Sequence, residues 1–160
     1  MPRVLRTSLP DGYFHITSRG VNGCAIFRDD QHRRSFLTSV RFSAERFEWT
    51  MHALCLMTTH YHLVLYATRD ALSRGMQLLN GRYAQEFNES HGRSGHLFGD
   101  RFACRVIDDE RYLAQVCQYV VENPVRAGIV EAPEDWPWAY GRAESLRPGL
   151  AGHVPADLDL

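Results

Sequence analysis

Two histidines one residue apart, in His60-Tyr61-His62, sit inside the alternating run His60-Tyr-His-Leu-Val-Leu-Tyr66. In a strand, residues i and i+2 project from one face. Both imidazoles therefore point one way, while Tyr61, Leu63 and Leu65 point the other way, into a core. Two imidazoles side by side make half of a divalent-metal site, although solvated strand histidines satisfy the same spacing. A second pair, Tyr119 and Asn123, lies four residues apart and shares a helical face offset from the apolar stripe of Leu113, Val116 and Val120. A phenol is a potential nucleophile, and an amide oxygen suits hard divalent cations such as magnesium or manganese. The same spacing fits a tyrosine at the edge of the core and an asparagine that ends a helix before Pro124.

These groups act together only if a scaffold brings them together. Residues 13–19 alternate after the turn Pro10-Asp-Gly12 and read as a first strand. Residues 19–23 form a loop and 25–27 a short extended piece. Asp29-Asp30 supplies the cap of a helix near 30–47, in which Phe36, Val40, Ala44 and Phe47 recur at helical spacing. Residues 49–57 and 60–66 are two strands joined through Thr58-Thr59. Leu72, Met76, Leu79, Tyr83 and Phe87 form the apolar stripe of a second helix, which Ser90-His-Gly-Arg-Ser-Gly95 ends. Residues 101–107 read as a fourth strand. Asp108-Asp109 caps a third helix, and Pro124 stops it at Asn123 because the residue before a proline is driven out of helical geometry. The prolines and glycines beyond it predict a loop-rich remainder. Through its fourth strand this order resembles the split β-α-β arrangement. The expected fold is α+β, a ferredoxin-like antiparallel sheet with helices packed on one face and the other face open for a ligand.

The 160 residues are 44% hydrophobic, 23% charged and 11% aromatic, which suits one domain with a single core and excludes a disordered chain. No apolar run approaches the roughly 20 residues of a membrane span. The N-terminal Met1-Pro-Arg-Val-Leu-Arg6 lacks the apolar core of a signal peptide, so the expected compartment is the cytoplasm. The formal charge of −1 hides an asymmetry. Residues 1–130 hold 16 of the 18 basic and 13 of the 19 acidic residues, whereas 131–160 hold 2 and 6. Every basic residue is arginine, whose planar fork suits phosphate and stacks on bases; composition bias is the simpler source of the missing lysines. Cys24, Cys55, Cys104 and Cys117 form no CxxC pair, which argues against a zinc knuckle and for buried free thiols. The expected organisation is one domain over 1–142 and an acidic, loop-rich tail over 143–160 with the composition of a disordered segment.

In order and spacing, several segments together resemble the single-tyrosine HUH transposases, specifically the REP-associated tyrosine transposase group. They are His15-Ile-Thr-Ser-Arg-Gly20, Ile26-Phe-Arg-Asp-Asp30, Cys55-Leu-Met57 followed by His60-Tyr-His-Leu-Val64, Gly95-His-Leu-Phe98 with Arg101-Phe102, and Tyr119-Val-Val-Glu-Asn-Pro-Val-Arg-Ala-Gly128. Trp136-Pro-Trp138 and Tyr140-Gly-Arg142 extend the similarity. The resemblance implies that His60 and His62 are metal ligands, that Asn123 is the third ligand of a magnesium or manganese ion, and that Tyr119 is the nucleophile. It also implies a single-stranded DNA partner carrying a hairpin. Thr58-Thr59 departs from the Pro-Asn that commonly precedes the first histidine in that group. Candidate DNA contacts are Arg19, Arg74, Arg82, Arg101, Arg105 and Arg126, with His96 and Phe98 as stacking partners for an unpaired base. Tyr112, two turns before Tyr119, is the one rival tyrosine on nearly the same face. A non-catalytic nucleic-acid binding module, a host-domesticated regulator and a phosphodiesterase that activates water are the competing readings. Monomer and homodimer both remain open.

Overall fold

Alternation in two neighbouring strands sorts the side chains between the two faces of one sheet. The computed structural model describes residues 9–141; the expected tail over 143–160 lies outside them. Strands β1 (Gly12–Arg19), β2 (Thr50–Leu56), β3 (His60–Ala67), β4 (Ala103–Ile107) and β5 (Ala139–Gly141) form a sheet in the order β4-β1-β3-β2-β5. All of its pairings are antiparallel. Helices α1 (Asp30–Arg46), α2 (Arg69–Ser90), α3 (Glu110–Val121) and the single turn α4 (Asn123–Arg126) complete the fold. The α+β class and the split β-α-β order are as expected. Among the described residues no helix is long and apolar enough to cross a membrane.

The larger core lies between one sheet face and the helices α1 and α2. Phe14 and Ile16 of β1 and Tyr61, Leu63 and Leu65 of β3 meet Phe36, Leu37 and Val40 of α1 and the Leu72, Met76, Leu79, Tyr83 and Phe87 stripe of α2. Caps begin each long helix, at Asp29 and Asp109 as the sequence predicts and at Thr68 for α2. Asp29 accepts from the His32 amide, Thr68 from Ala71 and Asp109 from Arg111, each satisfying one of the unpaired N–H groups of a first turn.

Four features differ from the sequence reading. The second sheet face is not left open, because α3 packs on it through Leu113, Val116, Cys117 and Val120 against Ala53, Cys55, Met57, Val64 and Ile107. The reason lies in β2, whose residues from Met51 to Leu56 are buried on both faces. Such a strand reads as one apolar run and needs cover on both sides. The piece at 25–27, expected to be extended, bends at Ile26, and its Ile26 and Phe27 amides both donate to the Thr58 carbonyl, at 2.9 and 3.2 Å. Helix α3 stops at Val121, and the chain restarts as α4 with Pro124 in its first turn, where a missing N–H costs nothing. Finally, the segment expected to be loop contains β5, which pairs Ala139, Tyr140 and Gly141 with Cys55, Leu54 and Ala53.

Gly75 in the middle of α2 shows how closely the first core is packed. A Cβ at this position would lie 2.2 Å from Cζ2 of Trp49, whose indole N–H donates to the Ala71 carbonyl at 3.2 Å. Alanine ordinarily gains about 1 kcal/mol over glycine in a helix. Here the overpacking cost of about 1–3 kcal/mol outweighs it, so Gly75→Ala should lower the urea midpoint with an unchanged slope.

Candidate active site

The register of β1 on β3 places Thr17 opposite His62 and Arg19 opposite His60, so His15, Thr17 and Arg19 share the face of the two histidines. His62 is buried, at 5% exposure. Its Nδ1 lies 3.0 Å from His15 Nε2 and 3.2 Å from Thr17 Oγ1, and its Nε2 lies 3.1 Å from the Asn123 side-chain amide nitrogen. His60 stands with its ring centroid 5.2 Å from that of His62 and nearly perpendicular to it. The Nδ1 of His60 is 3.1 Å from the Thr59 hydroxyl. Thr58 and Thr59 thus form a pinned turn, because the Thr58 carbonyl holds Ile26 and Phe27 and the Thr59 carbonyl accepts from Gly20 at 2.8 Å.

Tyr119 and Asn123 reach this face because the chain breaks at Glu122, between α3 and α4. The Tyr119 ring is 48% exposed, edge-on to His62 at 6.3 Å and to His15 at 6.4 Å between centroids. Arg126 lies over it, with the guanidinium carbon 3.9 Å from the ring centroid. The same guanidinium donates to the Tyr119 carbonyl, which is left without a helical partner at the break, and pairs with Glu122 at 3.5 Å. The other tyrosines stand apart, except Tyr112. Tyr61 and Tyr83 are buried in the first core, where burial pushes both phenols well above their ordinary range.

Beside Tyr119, a groove of about 560 Å3 runs between α3 and the β1–β4 half of the sheet, lined by His15, Thr17, Arg19, Arg105, Tyr112 and Tyr119 among others. The expected DNA contacts therefore divide. Arg19 and Arg105 line the groove, and Arg126 is engaged with Tyr119. Arg74 and Arg82 lie on α2, which packs on the opposite sheet face; they pair there with Asp70 and Glu86 and cover Phe47 and Phe42. Phe98 is not a free stacking platform, because it is half-buried against the rings of Tyr61 and Tyr83. His96 and Arg101 are exposed in the segment before β4.

His15 and Thr17 were missed by the sequence reading as partners of His62. Alternation in β1 places them on the correct face, but only the pairing of β1 with β3 shows which histidine they meet.

A divalent cation fits the donors present. Burial first, and then Arg19, lowers the His60 pKa to about 4. Burial first, and then His15, His60, Arg19 and Arg126, lowers that of His62 to about 3. Both imidazoles are therefore neutral at pH 7, as ligands must be. Each also engages its Nδ1 with a neighbouring side chain, as the supporting hydrogen bonds of metal-binding histidines do. Among the described residues no group of three His, Cys, Asp or Glu side chains is placed to hold a metal. The amide of Asn123 lies beside His62 Nε2, and a half-turn of its terminal bond would bring its oxygen to the same place.

Comparison with known proteins shows the family and the fold. A family model described as "Transposase IS200 like" matches residues 9–123. A Haemophilus influenzae protein named "Putative REP-associated tyrosine transposase" is 27% identical over 115 residues, 65% of this chain. The match also spans 65% of that relative's length. The solved structure of a REP-associated tyrosine transposase bound to a REP hairpin has the same fold, with a TM-score of 0.69 at 18% identity, covering 87% of this chain and 82% of that one. The family match runs from the residues before β1 to Asn123 and takes in both histidines and Tyr119; the chain belongs to the IS200-like transposase family.

Proposed function

We propose that this chain is a single-tyrosine transposase that cleaves and rejoins single-stranded DNA beside REP-like hairpins in the cytoplasm. In this reading Tyr119 is the nucleophile, and His60, His62 and Asn123 hold a magnesium or manganese ion. The observation that carries the reading is the convergence of two segments remote in sequence. The α3–α4 break sets the Asn123 amide 3.1 Å from His62 Nε2 and leaves Tyr119 exposed one turn earlier, at the mouth of an arginine-lined groove.

The chemistry follows from the parts. A free phenol has a pKa of about 10 and is a poor nucleophile at neutral pH. His60, His62 and Asn123 would hold the divalent cation, which when bound would supply Lewis acidity at the scissile phosphate. His15, Thr17 and Thr59 hold the two imidazoles in orientation, and Arg126 holds the Tyr119 ring. The Tyr119 oxygen bonds to phosphorus while the bond from phosphorus to the 3′ oxygen breaks. The phenol loses its proton to solvent, and the leaving oxygen takes one up. The products are a 5′-phosphotyrosine and a free 3′-hydroxyl. Because the covalent link conserves the phosphodiester, a second 3′-hydroxyl rejoins strands by the reverse attack.

The test is incubation with single-stranded hairpins from the DNA flanking the chain's own gene, with manganese or magnesium, followed by denaturing electrophoresis. A protein–DNA adduct is expected. Free 5′-phosphate product without an adduct would point to water as the nucleophile, and tight binding without cleavage to a binding module.

Cleavage should strongly favour the single-stranded or hairpin form over a blunt duplex of the same sequence. Binding should weaken as salt rises, because phosphate contacts release counterions. Removing the groove arginine in Arg105→Ala should reduce the slope of log K against log salt by about 0.7, one single-strand phosphate contact. An unchanged slope would remove Arg105 from the interface.

A further inference from the structure

Helix α3 presents more than its nucleophile to the groove. Tyr112, Gln115 and Tyr119 line one wall, and Thr17, Arg19, Ala103 and Arg105 of β1 and β4 line the other. Positions 112, 115 and 119 are spaced three and four apart, so they form one helical stripe. On the adjoining stripe Leu113, Cys117 and Val120 are committed to the sheet, and Val116 both packs there and lines the groove. The groove volume of about 560 Å3 lies within the range of about 300–1,000 Å3 that takes a small organic ligand. No carboxylate lines it. It is therefore a compact site with aromatic faces, cationic groups and one amide, the chemistry of an unpaired nucleotide.

The amide is distinctive. Gln118, on the same helix, spends its side chain on Glu122 at 2.5 Å, and Gln85 spends its own on Glu89 at 2.9 Å. Gln115 is exposed and lines the groove. Its position, one turn from Tyr119 and from Tyr112, leaves a carboxamide in the groove beside both phenols. A carboxamide carries a donor and an acceptor in one plane and pairs with two adjacent groups on a base edge. A tyrosine ring, in contrast, stacks on any base.

We infer that Gln115 is the specificity-determining residue of a single-nucleotide pocket beside Tyr119. There the unpaired nucleotide adjoining the scissile phosphate stacks on Tyr112, sets its phosphate between Arg19 and Arg105, and has its base edge read by the Gln115 amide. This rests on the proposed single-strand cleavage and adds to it the group that selects the base.

The test uses the full chain and hairpin substrates carrying each of the four bases at each of the two positions flanking the cleaved bond. Adduct formation is measured for every substrate. The wild type should prefer one base at one position by about fivefold or more. Gln115→Leu, which keeps an aliphatic side chain and removes both hydrogen-bonding groups, should lower cleavage of the preferred substrate to the level of the other three. Gln115→Glu, which presents acceptors only, should change the order of preference at that position and at no other. Tyr112→Ala should raise KM for all four bases alike while kcat changes little, as loss of sequence-neutral stacking demands. A Gln115→Leu protein that keeps the wild-type base preference overturns the inference, as does a wild type with no preference at either position. If the wild type forms no adduct with any substrate, the cleavage reading falls as well, which separates the two failures.

Discussion

Tyr119→Phe should bind hairpin DNA and divalent metal as the wild type does and yet form no covalent adduct. The substitution removes one oxygen and keeps the ring, so the ring remains under Arg126 and edge-on to His15 and His62. The ring is about half exposed, so no buried hydroxyl is lost and stability should be unchanged within about 0.5 kcal/mol. The loss of activity should be complete to the background of the assay, because among the described residues only Tyr112 shares the groove and it lies two turns away. Tyr61 and Tyr83 are buried on the other side of the sheet, with phenols that burial holds protonated. Tyr112 is the one competitor, since it is exposed and lines the same groove. Tyr112→Phe should still give an adduct, and mass spectrometry of the trapped species should map it to Tyr119. An adduct at Tyr112, or one that persists in Tyr119→Phe, would mean that the wrong phenol has been chosen.

The second large effect concerns the histidines. His60→Ala and His62→Ala should each abolish metal-dependent cleavage. Losing a supporting group near a metal already costs about 10–100-fold in affinity or activity, so losing a direct donor should cost at least that much. The two variants differ in what else they disturb. His60 is only partly buried, with its Nδ1 beside a hydroxyl on the adjacent turn, so its removal leaves the scaffold intact. His62 is buried and sits among His15, Thr17 and Asn123, so its melting temperature should be measured alongside activity. Either variant, folded and cleaving at near the wild-type rate with limiting manganese, would refute the metal assignment. Titration of manganese should separate weakened metal binding, which excess ion restores in part, from a collapsed site, which it does not.

The elements easiest to read in the sequence were those with one buried face. The α2 stripe from Leu72 to Phe87 has a single period and formed with those residues inward; β3 likewise turned Tyr61, Leu63 and Leu65 to the first core, although His62 and Val64 on its other face are buried too. Periodicity failed where burial is two-sided or pairing is remote. Strand β2 is apolar on both faces and so demanded α3 on the second face, a demand that no count of helices could express. Strand β5 has three residues and exists through its pairing with β2, so it carries no pattern of its own. The site behaved in the same way. His60 with His62, and Tyr119 with Asn123, are local pairs that spacing reveals. Their convergence, and the support of His62 by His15 and Thr17, depends on a strand register and a helix break that bring together residues far apart in the chain. Arg74 and Arg82 show the converse: the polar face of a helix always meets solvent, and only the side of the sheet on which the helix packs decides whether that solvent lies near the chemistry.

The sheet has two faces with different obligations. Phe14, Ile16, Tyr61, Leu63 and Leu65 are locked into the large core beneath α1 and α2, whereas the groove wall of α3 and the outward positions of β1 and β4 carry exposed Tyr112, Gln115, Arg19 and Arg105. Substitutions at those exposed positions fall outside the mechanisms that unfold proteins, and surface changes of that kind usually stay within about 0.5 kcal/mol. If these positions read the target as proposed, a lineage with this architecture would exchange one target sequence for another by single steps, each tolerated by the fold, while the histidines and the tyrosine stay put. Target choice is free to drift on a chassis that does not.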